Sequence, residues 1–251
     1  MIAREHRGRL PILKGLTLSA AILLAWLVSL VGCLSLNSSD QPWWLLAALV
    51  LVRIQLQTGL FIVGHDAMHQ LLWPGDRARN DALGALVLLL YAALPYRRCQ
   101  ASHRRHHSRP GTVDDPDCPC GRTAGLLSWY QAFMAGYLSR SQMALLLAAW
   151  AALAALFSGV TPTAPVNVLL FCTLPLLLSS WQLFTVGTYL PHRSQWQAGG
   201  DGEPISLDLP PWLSLLACFH FGYHLEHHDN PGLPWFDLPA LRQRAKNLAM
   251  S

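Results

Sequence analysis

Charged residues are scarce in this sequence. Only 13% of its 251 residues are Asp, Glu, Lys or Arg, whereas 52% are hydrophobic. Soluble domains carry about 25% charged residues, so the composition argues against a single water-soluble globule, a disordered chain or a nucleic-acid-binding protein. The six cysteines lack the dense spacing of a disulfide framework. The composition is therefore that of an integral membrane protein.

Four apolar runs have the length of membrane-spanning helices, which need about 20 apolar residues. The first run follows a basic N-terminal stretch, as the core of a signal peptide would. It is longer than such a core and no small-residue cleavage site follows, so we interpret it as an uncleaved anchor. The four runs cover residues 16–36, 43–64, 142–160 and 166–190.

Two shorter apolar runs, residues 82–96 and 211–222, are ambiguous between hairpins and full spans. If both turn back, every Lys and Arg except Arg53 lies on the side of the N-terminus, and the opposite loops 37–42 and 161–165 contain none. By the positive-inside rule, that side is the cytoplasm. We predict an all-α integral membrane protein of one domain (1–251), with four transmembrane helices, two short re-entrant or interfacial segments and cytoplasmic termini.

Eight of the eleven histidines form three clusters. One has the pattern HxxxH, and two have the pattern HxxHH. Residues at i, i+3 and i+4 of a helix share a face, so each cluster directs its imidazoles into one space. Imidazole suits Fe, Zn, Cu and Ni ions. The clusters consist of His65 and His69, of His103, His106 and His107, and of His224, His227 and His228.

Eight histidines exceed the four positions of a structural zinc site. Two adjacent metals, each held by four or five imidazoles, would use all of them. His192, at the end of the fourth run, is expected as a ninth ligand, whereas His220 is expected to hydrogen-bond a ligand. A shared site requires residues 82–96 to turn back, because the second cluster would otherwise lie across the membrane from the first.

Carboxylates near the clusters are candidates for orienting the ligands through hydrogen bonds. Each of them could equally be a solvated loop acid. The main candidates are Asp66, Asp115 and Asp117, with Asp114, Glu226 and Asp229 as further ones.

Arg53 lies inside the second run, where a charged residue is functional by default. A structural partner, snorkelling and a substrate role all remain open for it. Residues 126–138 place aromatic side chains at helical spacing, which predicts an interfacial helix or a packed connector helix. We interpret the Cys118-Pro-Cys120 sequence as a loop.

The three clusters and the residues around them resemble the membrane fatty acid desaturase and hydroxylase superfamily. Within it, the resemblance is closest to the bacterial-type β-carotene ketolases. The loop 118–125 does not fit the family pattern. The resembling stretches are TGLFIVGHDAMH (58–69), HRRHHSRPGTVDDPD (103–117), QLFTVGTYLPHR (182–193) and HFGYHLEHHDNPGLPW (220–235).

The resemblance implies a non-haem diiron centre that uses oxygen and an external electron donor such as ferredoxin. It implies a cyclic carotenoid substrate in a bacterial cytoplasmic-type membrane, with the C4 methylene of a β-ionone ring oxidised to a ketone. β-Carotene would give echinenone and canthaxanthin, and zeaxanthin would give astaxanthin. The nine ligands that it implies are His65, His69, His103, His106, His107, His192, His224, His227 and His228.

Further expectations concern the surroundings of this centre. A polyene should enter laterally through an apolar tunnel, and an acidic electron carrier could dock on the basic face. Candidate tunnel walls are Trp129, Tyr130, Phe133, Tyr137, Trp235 and Phe236. Candidate docking residues are Arg97, Arg98, Arg104, Arg105 and Arg109.

Two alternatives stay open at this point. A carotenoid hydroxylase or a fatty acyl desaturase would use the same diiron core. A histidine-rich metal transporter belongs to another class, and it should carry polar residues through several spans. The third and fourth runs carry no charge, which disfavours transport.

Overall fold

The computed structural model describes residues 9–118, 125–198 and 203–249, and these residues form helices and no strands. We number the helices in chain order and treat Ala164–Gln197, which contains two π-helical turns, as one element. The helices are α1 Arg9–Ser35, α2 Trp43–Met68, α3 Arg77–Ala92, α4 Tyr96–Ser108, α5 Leu126–Tyr137, α6 Arg140–Phe157, α7 Ala164–Gln197, α8 Pro211–Cys218, α9 His224–Asp229 and α10 Leu238–Ala249.

Four of these helices are long and apolar enough to cross a membrane, which confirms the four predicted spans. Helices α2 and α7 continue beyond the predicted ends at residues 64 and 190. The apolar pattern stops at the first polar residues, but the backbone hydrogen bonds of the helix do not depend on that pattern. His65 and His192 therefore lie on the membrane-length helices. The four apolar helical segments are Ile12–Ser35, Trp43–Met68, Arg140–Phe157 and Ala164–Gln197.

The apolar run 82–96 turns back on itself, as a shared histidine site requires. Helices α3 and α4 meet at an angle of 97°. Ala93 ends α3 in the left-handed conformation, with φ of 53°, and its N–H donates to the carbonyl of Leu89. This is a common way to end a helix. Pro95 then precedes the first turn of α4.

Helix α2 is the centre of the bundle and packs against α1, α3 and α7. Two glycines allow α2 and α3 to come close. A Cβ atom on Gly64 would lie 2.5 Å from Leu88, and one on Gly84 would lie 2.6 Å from Ala67. The tight packing fixes the end of α2, which carries the first histidine cluster.

Arg53 has structural partners in the middle of the bundle. Its side chain is buried, and Nε donates to the carbonyl of Phe171 at 3.0 Å. Its Nη1 donates to the carbonyl of Trp26 at 2.9 Å and to Ser29 Oγ at 3.1 Å. Phe171 lies in the π-helical turn Leu169–Thr173, where the regular helical hydrogen-bond pattern changes. Arg53 thus ties α2 to α1 and α7.

Candidate metal centre

Four helices bring nine histidines to one end of the bundle. Helix α2 carries His65, and His69 is its C-cap residue. Helix α7 carries His192. The two HxxHH clusters lie on α4 and α9. The structure therefore assembles all nine predicted ligands, including the one outside the three clusters.

The nine histidines divide into two groups. In each group, one ring nitrogen of every member lies within 4.8 Å of the others. The ring centroids of His107 and His228, which belong to different groups, are 4.3 Å apart, so the groups are adjacent. The five-histidine group is His65, His69, His103, His107 and His227, and the four-histidine group is His106, His192, His224 and His228.

Each HxxHH cluster contributes to both groups. His103 and His107 belong to the five-histidine group, whereas His106 belongs to the four-histidine group. On α9 the i and i+4 residues again share a group, and the i+3 residue, His227, joins the other. At 3.6 residues per turn, position i+4 lies about 40° to one side of position i and position i+3 about 60° to the other. A single helix face therefore contributes histidines to two neighbouring groups.

The ring nitrogens within each group point at one another. His69 Nε2 lies 2.8 Å from His103 Nε2 in the five-histidine group. His192 Nε2 lies 2.8 Å from His224 Nε2 in the four-histidine group. Both ring nitrogens of His65 and Nδ1 of His224 are buried without a hydrogen-bond partner. Buried polar atoms nearly always have partners, so this donor set fits a pair of metal ions.

Burial also favours the neutral form of the imidazoles. It lowers the pKa of His69 to about 4. Burial, reinforced by neighbouring histidine rings, lowers the pKa of His224 and His227 well below the usual value. Neutral imidazole is the form that binds a metal. The assignment of the nine histidines as ligands stays a prediction, and the geometry is compatible with it.

Asp115 holds the outer face of His106. Both carboxylate oxygens lie 3.0 Å from His106 Nδ1. The backbone N–H groups of Gly111 and Asp117 donate to the same carboxylate at 2.8 and 2.9 Å. Burial alone would raise the pKa of Asp115, but these bonds lower it below its usual value. The arrangement directs His106 Nε2 toward the four-histidine group.

Asp117 lies next to Asp115 and also faces His106. One of its oxygens is 3.8 Å from His106 Nδ1, and another accepts a hydrogen bond from Tyr137 Oη at 3.1 Å. Burial, with a contribution from the Asp115 carboxylate, raises the pKa of Asp117 to about 6. The backbone carbonyl of Asp117 accepts from Trp129 Nε1 at 2.7 Å, which joins this loop to α5.

Sequence reasoning missed Gln195. Its Oε1 lies 2.8 Å from His192 Nδ1, so it supports His192 as Asp115 supports His106. The spacing contained a signal, because Gln195 is three residues after His192 and shares its helix face. A search limited to carboxylates overlooks such an amide.

The other predicted partners differ in how close they come. Asp66 is buried, and its carboxylate lies 3.9 Å from His65 Nδ1. His220 belongs to neither group, and its ring stacks on Tyr223 and Trp235 with centroids 5.8 and 6.1 Å away. It therefore packs beside the aromatic rings that follow it.

The three further candidate acids are either paired with an arginine or exposed. Asp114 is exposed and pairs with Arg109. Glu226 is buried and accepts a hydrogen bond from Arg242 Nη1 at 2.9 Å, which anchors α9 to α10. Asp229 is exposed. In the cysteine pair, Cys118 is buried, and Cys120 lies outside the described residues.

An apolar cavity begins at the two groups, and we call it the first cavity. Four histidines line one end of it, two from each group: His65, His103, His106 and His224. The cavity then continues between α2, α3, α5, α6 and α7 as far as Trp150 and Thr173. An apolar molecule in this space would have one end at the histidines.

Two of the six predicted tunnel walls, Phe133 and Tyr137, line the first cavity. Trp129 and Tyr130 pack in a neighbouring aromatic cluster around Phe184. Trp235 packs against Phe219, and Phe236 packs against Trp235. The predicted docking arginines are all exposed along α4 and at its C-cap, namely Arg97, Arg98, Arg104, Arg105 and Arg109.

Comparison with known proteins identifies the family. The fatty acid desaturase family model matches residues 41–144 and 123–250. β-Carotene ketolases from two strains of Paracoccus sp. are each 40% identical to this chain over 91% of its length and 92% of theirs. A zeaxanthin 4-ketolase from Chlamydomonas reinhardtii is 36% identical over 90% of this chain and 50% of that protein.

The chain therefore belongs to the fatty acid desaturase family and, within it, to the β-carotene ketolase branch. Shorter matches link it to other members of the family. A Ricinus communis oleoyl-12-hydroxylase is 30% identical over 37% of this chain. The resemblance inferred from the histidine motifs is confirmed, and the protein is an oxidoreductase of a membrane-embedded type.

Proposed function

We propose that the protein oxidises the C4 methylene of β-ionone rings to a ketone. It would convert β-carotene to echinenone and canthaxanthin, and zeaxanthin to astaxanthin. The observation that carries the proposal is the apolar first cavity, which starts at histidines of both groups and runs between membrane-length helices. The long ketolase relatives support the same reaction.

The nine histidines would hold two iron ions, one in each group. Bound iron would supply oxygen activation, with electrons from an external donor such as ferredoxin. The protein's own contribution is orientation. Asp115 and Gln195 accept hydrogen bonds from the outer nitrogens of His106 and His192, so the opposite nitrogen of each ring faces its group. Such outer partners fix both the tautomer and the ring direction of a ligand.

The first cavity would select the carbon that reacts. Its apolar walls exclude water and place one ring of the carotenoid against the histidines. The C4 methylene is allylic, so its hydrogens are weakly held. Each hydroxylation consumes one O2, two electrons and two protons and releases one water. Two rounds on the same carbon give a geminal diol, which loses water to form the ketone, and no side chain has to act as a nucleophile.

We further propose a cytoplasmic orientation in a bacterial cytoplasmic-type membrane, with the chain as one domain. The positive-inside rule supports this orientation, since basic residues concentrate at the histidine end. The exposed arginines of α4 would then face an acidic electron carrier in the cytoplasm.

Pigment chromatography of a β-carotene-accumulating bacterial host expressing this chain tests the proposal. New ketocarotenoids are expected. Hydroxylated carotenoids without a ketone would contradict ketolation and indicate a hydroxylase. Unchanged β-carotene, with the protein present and iron bound and ferredoxin supplied, would reject a carotenoid substrate and favour acyl lipids.

A further inference from the structure

A second cavity lies deeper in the bundle, and the proposed reaction does not account for it. It is bounded by α1, α2, α3, α6 and α7, and its lining includes Leu27, Arg53, Ala149 and Leu156. Four side chains line both cavities and form a shared wall, namely Tyr91, Leu146, Trp150 and Leu176. The second cavity therefore adjoins the first across these side chains. On α2 it is lined by Arg53 and Gln57, which are farther from the histidines than Phe61 in the first cavity.

The two cavities together follow α6 for much of its length. Met143 lines the first cavity, and Leu156 lines the second. At 1.5 Å per residue, these positions are about 20 Å apart along the helix axis. The two cavities together therefore extend over about that distance from the histidine end of α6.

The polar side chains at the floor of the second cavity already have partners. Arg53 is bonded to two backbone carbonyls and to Ser29. Gln57 accepts from Trp26 Nε1 at 2.7 Å and donates to the carbonyl of Tyr91. The remaining lining is mostly aliphatic. Because these polar groups already have partners, the lining suits a largely apolar occupant.

The rim of the second cavity opens sideways. Leu89, Leu145 and Leu156 line it, and each has more than half of its surface exposed. On a membrane-length helix such as α6, an exposed leucine faces lipid. An occupant could therefore enter from the bilayer without crossing the polar end of the bundle.

We propose that the second cavity holds the half of the carotenoid that is distant from the reacting ring. This inference rests on the proposed ketolase function. A conjugated polyene is straight and cannot fold back, so the half beyond the reacting ring must continue in a line from the first cavity. The second cavity supplies apolar space on the far side of the shared wall, and the side chains around Trp150 would contact the middle of the polyene.

Adjacent alanines on α6 provide a matched test. Ala149 and Ala148 are both exposed, but Ala149 lines the second cavity whereas Ala148 lines neither cavity. We expect the larger side chain of Ala149→Trp to occupy the second cavity. Overpacking is costly, so the polyene should no longer fit beside it. β-Carotene that co-purifies with the detergent-solubilised protein, and its ketolation, should both fall by about ten-fold or more. Ala148→Trp should match the wild type.

A half-length substrate tests the roles of the two cavities separately. Retinol carries one β-ionone ring and a short polyene, so it needs only the first cavity. Its ketolation by Ala149→Trp should equal that by the wild type. If the wild type does not react with retinol, the amount of co-purified β-carotene decides. Ala152→Trp fills the same cavity and replaces Ala149→Trp if that variant does not accumulate.

Two results would overturn the inference while leaving the ketolase function intact. One is wild-type binding and conversion of β-carotene by Ala149→Trp, which would leave the second cavity to bilayer lipid. The other is an equal loss of β-carotene and retinol conversion in that variant. Absence of ketocarotenoids from the wild type would instead refute the proposed function, and the inference would fall with it.

Discussion

The two histidine groups lie side by side but are supported differently. In the four-histidine group, His106 and His192 are held from outside by Asp115 and Gln195. In the five-histidine group, His65 lies on the tightly packed α2 and neither of its ring nitrogens has a hydrogen-bond partner. One group is oriented largely by hydrogen bonds, and the other largely by the helices that carry it.

The difference follows from where the ligands come from. Four residues of the five-histidine group form two pairs at i and i+4, namely His65 with His69 and His103 with His107. The first pair lies at the end of α2, where packing against α3 leaves little freedom. The four-histidine group takes one residue from α4 and one from the end of α7, so each must be aligned separately. Single hydrogen-bonding residues should therefore matter most for the four-histidine group.

Removing one of the predicted ligands should have the largest effect on iron content and on ketolation. In His106→Ala the four-histidine group keeps three imidazoles, so we expect the iron content to fall from two to about one per chain and ketolation to fall at least about 100-fold. Iron analysis of the purified protein and pigment chromatography measure both. His220→Ala is the control, because His220 is a buried histidine in neither group. Full iron content and activity in His106→Ala would refute the metal assignment.

Changing the carboxylate behind His106 should have the next largest effect. Asp115→Asn keeps the size of the side chain but removes its charge, so metal affinity or activity should fall by about 10- to 100-fold. Iron retention during dialysis against a chelator measures the affinity. Asp114→Asn changes the neighbouring, exposed acid and should behave as the wild type. Equal behaviour of the two variants would remove the support for an orienting role of Asp115.

A smaller effect is expected at Gln195. Gln195→Leu removes the acceptor from His192 Nδ1, and we expect about a ten-fold loss of iron retention, at the lower end of such effects. Gln195→Glu retains an acceptor and should restore retention. Loss of the second iron from Gln195→Leu would show that the two groups are not supported independently, which contradicts the difference described above. Mössbauer spectra of iron-57-loaded protein distinguish the loss of one site from the loss of both.

The sequence predicted the main helices because apolar length alone defines a span. It did not predict their ends at the site, since His65 and His192 continue helices whose apolar pattern has already stopped. The reversal after residues 82–96 was predicted from charge and from the need for a shared site. The reversal is made by Ala93, which has a left-handed conformation, followed by Pro95. The sequence does not signal this turn strongly, because alanine seldom adopts a left-handed conformation.

The sequence predicted the nine histidines of the candidate site, but it did not predict how they divide into two groups. Helical spacing showed that His103, His106 and His107 share a face, and it could not show that the face is divided between two groups. That division depends on where α2, α7 and α9 approach α4. His220 lies four residues before His224, which is the spacing of one helical turn, and this led to the expectation that it hydrogen-bonds a ligand. The backbone at His220 is left-handed, with φ of 65°, so the helical spacing does not extend to this residue.

Helix α9 contributes histidines to both groups, His227 to one and His224 and His228 to the other. During translation, the ribosome must complete residue 228 before either group exists in full. The earlier ligands from α2 and α4 would wait through the synthesis of two more spans. Iron insertion would then be a late event of biogenesis. The bound ions would link the first and last parts of the chain, so that metal release and detachment of the C-terminal segment would occur in a single transition.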